Sequence, residues 1–527
     1  MWLNGLRAGY GVYKDYKTMT PPVVWFCNNA SMSQLPVVIQ GGMGAAVSNW
    51  RLAQAVSRTG QLGVVSSVAL DTILSRRLQD GDPGGHMRRG LAMFPYPEIA
   101  ERILAKHFKP DGRKGRPYRL VTMLSRVNSR EASELLVAAN FVEVALAREG
   151  HSNPVGINLM EKIQLPFLAS LYGAMLGGVS YVLMGAGIPL KVPGAIDAFA
   201  EGKAAAYPLN VTGAQAEDDI MMRFDPTEFF GHEALKLTRP KFLAIISSNA
   251  LATTMLRRSN GRVDGFIIEG PTAGGHNAPP RGQMVYNERG ECVYGERDVV
   301  DMEKIAQMGV PFWLAGGYGS AERVAEALEL GAAGVQVGTA FAFCEESGMR
   351  DEYKSALIAK ILKGEGEVFT DPRSSPTGFP FKAAQLEGTS SEPEVYAQRK
   401  RICDIGILRE AYRTPEGKIA YRCSAEPENV FVSKGGELAE TDGRKCLCNC
   451  LLADIGMAQL LKDGSEEPGL VTTGDDLASV RHYLAGRNSY HATDVVKGLM
   501  AAAATAKIVP IAAEAIAATA VVPVAAG

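Results

Sequence analysis

The chain has 527 residues, of which 46% are hydrophobic and 21% charged; this suits a soluble protein with a large core and excludes a disordered chain. Its 55 basic and 57 acidic side chains leave a formal net charge of −2, with no concentrated basic run, which argues against nucleic acid or an anionic membrane as partner. Residues Met1 to Gly11 hold one Arg and no apolar core, unlike a secretory leader, and no stretch reaches the roughly 18 apolar residues of a bilayer span. Eight sparse cysteines then suggest a cytoplasmic protein with free thiols.

In chain order, short apolar runs recur, many ending in Gly or a small polar residue. They are Val37 to Gly42, Gly63 to Ser67, Val155 to Leu159, Tyr181 to Gly185, Phe242 to Ser247, Val263 to Glu269, Pro311 to Gly316 and Gly334 to Gly338. Runs without polar alternation predict strands buried on both faces. Helical patterns lie between them: Trp50 to Thr59 follows the first run, and Ser320 to Leu330 precedes the eighth, with Ser as cap and Gly331 as stop. Strands alternating with helices predict a parallel sheet with right-handed crossovers, and eight strands predict a closed (β/α)₈ TIM barrel; a doubly wound open sheet is the alternative.

The predicted organisation is an N-terminal segment over 1–35, the barrel over 36–345, a mainly helical C-terminal extension over 346–497 and an Ala/Val-rich tail over 498–527. Two insertions interrupt the barrel, at 71–150 and 191–240; connections of that length are usually lids or small subdomains.

Three glycine-rich corners carry the chemistry. Glu269 to His276 (EGPTAGGH) directly follows the sixth strand, at the face where barrels place active sites. Gly274 and Gly275 let the backbone approach a bound ring, and His276 is suited to proton transfer near neutral pH. Leu314 to Ser320 (LAGGYGS) and Gly334 to Thr339 (GVQVGT) follow the seventh and eighth strands. In (β/α)₈ barrels that pair of loops frequently binds phosphate through backbone N–H groups. Gln40 to Gly44 (QGGMG) ends the first strand, where Gly41 and Gly42 suit a flat ring and Met43 a soft apolar contact. Asn158, at the end of the third strand, either hydrogen-bonds a polar ring edge or fixes a loop.

Together these segments, over roughly Pro36 to Phe343, resemble the nitronate monooxygenase (2-nitropropane dioxygenase-like) family of flavin-binding barrels. Ser375 to Pro380 (SPTGFP) looks like a degenerate copy of that family's later threonine–glycine loop. The resemblance implies non-covalent FMN, with Gly41, Gly42 and Met43 against the isoalloxazine and Asn158 near the ring. It places the phosphate on Gly316, Gly317, Gly338 and Thr339, and makes His276 the catalytic histidine. The implied activity is oxidation of an alkyl nitronate by O₂ to a carbonyl compound and nitrite.

Simple members of the family are much shorter, and long chains of this type also resemble flavin enoyl reductases that serve polyketide and polyunsaturated fatty acid synthases. The rival reading is therefore NAD(P)H-dependent reduction of an enoyl thioester, with an acyl carrier protein as possible partner. A non-catalytic flavin-binding scaffold is the reading from another class. No Cys lies in the loop after the sixth strand, which argues against a barrel that uses a covalent cysteine, such as an IMP dehydrogenase.

Cys446, Cys448 and Cys450 stand close together, with Cys403 and Cys423 upstream. Their spacing is not that of common zinc modules, so buried thiols and no metal is the expectation, with zinc or an iron–sulfur cluster as the alternative.

Overall fold

A computed structural model describes residues 35–503. Its main sheet has eight strands: β1 (Val38–Gln40), β2 (Gly63–Ser66), β3 (Val155–Met160), β4 (Tyr181–Gly185), β5 (Lys241–Ile246), β6 (Gly265–Glu269), β7 (Phe312–Ala315) and β8 (Gly334–Val337). Every neighbouring pair is parallel and consecutive in sequence, with β8 returning beside β1. Between β1 and β2, Gln40 N donates to Leu62 O (2.9 Å) and Leu62 N to Val38 O (3.0 Å). Those bonds close the barrel and exclude the open sheet.

The uninterrupted apolar runs have a direct physical reason: each strand has two buried faces. Ile39, Leu62, Val64, Tyr181, Leu183, Leu243, Ile267 and Trp313 fill the barrel interior. Their neighbours Val38, Val65, Val182, Phe242, Phe266, Phe312 and Val335 face the helical ring. Trp313 is fully buried, and its indole N–H is satisfied by Pro36 O at 2.7 Å. The helices following the first seven strands are Trp50–Ser57, Arg130–Arg148, Phe167–Leu176, Val192–Ala200, Asn249–Arg258, Met302–Ala306 and Ala321–Glu329. Arg130–Arg148 and Phe167–Leu176 touch backbone to backbone at Gly173, where a Cβ would lie 2.2 Å from Val137 O.

The eighth unit is unusual. The chain leaves β8 through the short helix Thr339–Ala342, and the helix packed between Ala321–Glu329 and Trp50–Ser57 is Ala492–Ala503. Residues 345–491 therefore lie between the eighth strand and the helix that completes its unit. Besides helices, this region holds short strands. Phe381–Ala384 pairs antiparallel with Val368–Asp371 and with Gly275–His276. Glu410–Arg413 pairs with Ile419–Arg422 and, in parallel, with Val211–Thr212 from the insertion after β4. Of the predicted N-terminal segment (1–35) and tail (498–527), residues 1–34 and 504–527 lie outside the described residues, and the tail is helical as far as Ala503. No helix among the described residues is long and apolar enough to cross a membrane.

Candidate active site

A cavity opens at the carboxyl ends of the strands, the face where parallel barrels gather their loops. Each predicted site residue lines it: Gly41, Gly42 and Met43 after β1, Asn158 on β3, Gly274, Gly275 and His276 after β6, Gly316 and Gly317 after β7, Gly338 and Thr339 after β8. Residues as far apart in sequence as Gly41 and Thr339 converge because each strand delivers its last residues to one rim.

The loop after β1 is held from below. Ser48 Oγ accepts from Met43 N (2.9 Å) and donates to Gly41 O (2.8 Å), while the fully buried Gln40 carboxamide donates to the same hydroxyl (2.8 Å) and accepts from Val64 N (3.0 Å). Gly42 lies directly against Asn158: a Cβ there would stand 2.3 Å from Asn158 Cβ. After β7, Gly316 and Gly317 have φ of +92° and +77°, a backbone region favouring glycine. The N–H groups of Gly317 and Gly338 donate to no protein acceptor among the described residues. Gln336, on the cavity wall, has a buried carbonyl oxygen without a partner. Unpaired donors at two adjacent corners beside an unpaired acceptor suit a ligand with an anionic end and a polar ring edge.

No Lys or Arg lines the cavity; its titratable groups are Glu269, His276, Tyr318, Cys448 and Asp476. Burial pushes Glu269 up to about 7 and raises Asp476 as well. Burial also lowers His276, to about 4, so its imidazole is neutral at pH 7. His276 sits on the short strand facing Phe381, with its ring edge-on to Phe381 at 4.9 Å and to Phe379 at 6.4 Å. Its Nε2 lies 2.7 Å from Ser375 Oγ, and Nδ1 has no protein partner among the described residues.

Ser375 is the residue that sequence reading missed; it belongs to the degenerate threonine–glycine segment, and its role depends on where that segment lands. Thr377 N donates to Ser375 Oγ (3.2 Å), and the Thr377 hydroxyl lies 2.8 Å away. Arg444 Nη1 donates to Ser375 O and Lys445 N to Ser374 O (2.8 Å), tying this loop to the cysteine-bearing segment.

The segment Thr472 to Asp476 was missed too. Gly474 N donates to Thr339 Oγ1 (3.1 Å), Asp475 N to Thr272 O (3.0 Å), and Gly319 N to Asp476 Oδ2 (3.1 Å). Lys382, buried, reaches Asp475 at 2.6 Å. A Cβ on Gly274 would meet Thr473 C at 2.6 Å, so Gly274 supports this contact as well as the cavity. Asp476 caps helix Leu477–Leu484 by accepting from Ser479 N; a Thr-Gly-Asp-Asp run before an apolar periodic stretch is a helix-start signal legible in sequence. Ile407, Leu408, Leu447, Cys448 and Leu451 complete an apolar roof.

The structure separates the cysteines differently from their order in sequence. Cys403, Cys423, Cys446 and Cys448 pack together, whereas Cys450 lies apart, its thiol 3.4 Å from Ser390 Oγ. Among the described residues all cysteines are unpaired.

Residues 231–369 match the family model described as nitronate monooxygenase. The nitronate monooxygenase of Pseudomonas aeruginosa is 38% identical over 152 residues, covering 28% of this chain and 42% of the relative. The probable nitronate monooxygenase of Bacillus subtilis is 29% identical over 126 residues, covering 24% and 35%. The chain thus spans less than half the length of these curated relatives. Among solved structures, FabK from Thermotoga maritima aligns over 89% of this chain and 93% of its own at 16% identity (TM-score 0.42). The nitroalkane oxidase of Streptomyces ansochromogenes aligns over 89% and 96% at 15% identity (TM-score 0.43).

Proposed function

We propose that this chain, whose residues 231–369 match the nitronate monooxygenase family model, is an FMN-dependent oxidoreductase that oxidises alkyl nitronates with O₂ to a carbonyl compound and nitrite. The observation that carries the reading is His276: a neutral imidazole, anchored through Nε2 and free at Nδ1, beside glycine corners with unpaired N–H groups. Gly317, Gly338 and Thr339 would hold the phosphate, with Gly316 shaping the turn. Gly41, Gly42 and Met43 would lie against the ring, and Asn158 and Gln336 would meet its polar edge. The bound flavin would supply the electron chemistry.

The Ser375 contact lets His276 serve two substrate forms. When Nε2–H donates to Ser375 Oγ, Nδ1 presents a lone pair that can take the α-proton of a neutral nitroalkane. When the Ser375 hydroxyl donates to Nε2, Nδ1 carries the proton and can hydrogen-bond a nitronate oxygen. The lowered pKa keeps the imidazole neutral at pH 7, the form in which either tautomer is open to it. The apolar roof would limit water at the reacting carbon.

The same roof favours a second reading, reduction of an enoyl thioester with NAD(P)H as electron donor and an acyl carrier protein as partner. Met160, Ile163, Ile407, Leu408 and Leu451 form a wall suited to an acyl chain. Anaerobic mixing of flavin-loaded protein with nitronates, NADH, NADPH and enoyl thioesters separates the readings. Bleaching by nitronate alone is the expected result; rapid bleaching by NAD(P)H selects the reductase. Bound flavin that no substrate reduces or reoxidises selects a scaffold.

A further inference from the structure

An anionic substrate has to enter a cavity that no Lys or Arg lines. A cation stands just outside it. Met160 and Ile163, at and after the end of β3, line the cavity together with His276, while Lys162 between them is exposed. The Lys162 ammonium lies over the Phe379 ring, 5.5 Å from its centre, where the ring quadrupole attracts a cation. Phe379 in turn stands edge-on to His276, with 6.4 Å between ring centres. Its loop is tied to that of the histidine by Asn277 N donating to Pro380 O (2.9 Å) and by the pairing of Phe381 with His276. Neither Lys162 nor Phe379 lines the cavity. Together they join the loop after β3 to the roof, on the outer side of residues that do.

Among the described residues the Lys162 ammonium has neither a hydrogen bond nor a carboxylate within ion-pair distance. The adjacent Glu161 is buried and turned towards Gln164, which donates to it at 2.8 Å, and towards Gly187, where a Cβ would stand 2.1 Å from its Oε2. Burial, the largest influence on that carboxyl, raises it and favours its neutral form. Other cations of the roof are committed: Lys382 to Asp475 (2.6 Å), Arg399 to Glu467, and Arg444 to the carbonyls of Arg373 (2.7 Å) and Ser375. The position outside the cavity has a physical consequence. An ammonium inside would hold the anion equally in ground state and transition state, which lowers KM without speeding the chemistry. Outside, it raises the concentration of anion at the entrance and leaves His276 Nδ1 as the group that meets it.

We propose that Lys162, held against Phe379, is an anion guide at the entrance beside His276, and that it makes the enzyme prefer a nitronate to the neutral nitroalkane of the same carbon skeleton. The inference rests on nitronate oxidation as the activity and adds which of the two substrate forms is taken. His276 can meet either form, because its free Nδ1 can accept or donate. The imidazole therefore sets no preference by charge, and the selection falls to the ammonium outside. Phe379 is the positioning residue: it fixes the ammonium on the outer side of the imidazole instead of leaving it to range through solvent. A guide of this kind acts through a screened Coulomb field, so its effect fades as salt is added.

The test offers flavin-loaded protein 2-nitropropane in its neutral form and as the preformed anion, and compares kcat/KM across ionic strength. Lys162→Gln should lower kcat/KM for the anion about tenfold at low salt, mostly through KM, and that for the neutral form less than about twofold. Raising the ionic strength from roughly 0.01 M to 1 M shrinks the Debye length from about 30 Å to about 3 Å and should bring wild type down to the variant. Lys162→Arg should keep the preference, since the charge and the ring contact survive. Equal losses for both forms, or a salt dependence that Lys162→Gln leaves intact, overturn the guide. A second readout needs no turnover: isobutyrate has the shape and charge of this nitronate, and its binding is followed by the perturbed flavin absorbance, with isobutyramide as the neutral control. Wild type should bind isobutyrate about tenfold more tightly than Lys162→Gln at low salt, with isobutyramide unaffected. If wild type oxidises no nitronate, the activity assignment fails by itself. The guide fails separately if isobutyrate does not bind or binds both proteins equally.

Discussion

The floor and the roof of the cavity are built on different principles. The floor is the rim of the barrel: the corners after β1, β7 and β8, each set by a strand end and a glycine turn. The roof comes from residues far along the chain, 375–380, 407–408, 447–451 and 472–476, and is held by side chains such as Lys382, Arg399 and Arg444. A backbone floor tolerates surface change but no Cβ at its close contacts. A side-chain roof depends on single polar partners. The comparison teaches that cofactor retention and turnover should be separable by mutation, the first residing in the floor and the second where floor and roof meet.

His276→Ala sharpens that division most. It should keep flavin bound, because the floor is untouched, while turnover falls about 10²–10⁴-fold, the range for a lost general acid–base group. Steady-state oxygen uptake with flavin absorbance read alongside checks it, and unchanged turnover would sink the assignment. Arg399→Ala attacks the roof alone: it leaves Glu467 buried without its partner, a loss of about 3–5 kcal/mol. Denaturant unfolding should show this penalty, with the roof cleaved first in limited proteolysis.

Gly42→Ala breaks the floor. Its new Cβ needs the space of Asn158 Cβ, at an expected cost of about 1–3 kcal/mol. Weaker flavin binding should accompany it, measured by fluorescence titration; wild-type affinity would detach this loop from the cofactor.

The last effect is a pH dependence. Glu269 is raised when folded, so its contribution to stability is full below about pH 4.5 and is lost as pH rises towards about 7. Glu269→Gln lacks that loss. Its stability relative to wild type should therefore increase from about pH 4.5 to 7 and then level off, read from denaturation midpoints of flavin-free protein across pH. A constant difference would place Glu269 in water.

Legibility followed the same line. All eight barrel strands lie within two residues of their apolar runs, since a strand buried on both faces writes its burial into consecutive residues. The glycine corners were legible because φ near +80° at Gly317 and the contact at Gly42 admit little else. Ser375 and the Thr472–Asp476 segment were not identified as site residues, since small polar residues in an irregular stretch carry no period. The cysteines illustrate the point further: Cys446, Cys448 and Cys450 are neighbours in sequence, but the cluster takes the first two with Cys403 and Cys423.

By itself, then, the sequence determined the barrel, its closing order and the glycine floor with His276 beside it, because burial and backbone freedom act locally and leave periodic or compositional traces. Tertiary structure alone decided that residues 345–491 enter within the eighth unit and fold over the mouth, that Ala492–Ala503 supplies the last barrel helix, and that Ser375 reaches His276. Those outcomes rest on single long-range contacts, and one hydrogen bond or ion pair between distant residues leaves no pattern in the chain that makes it.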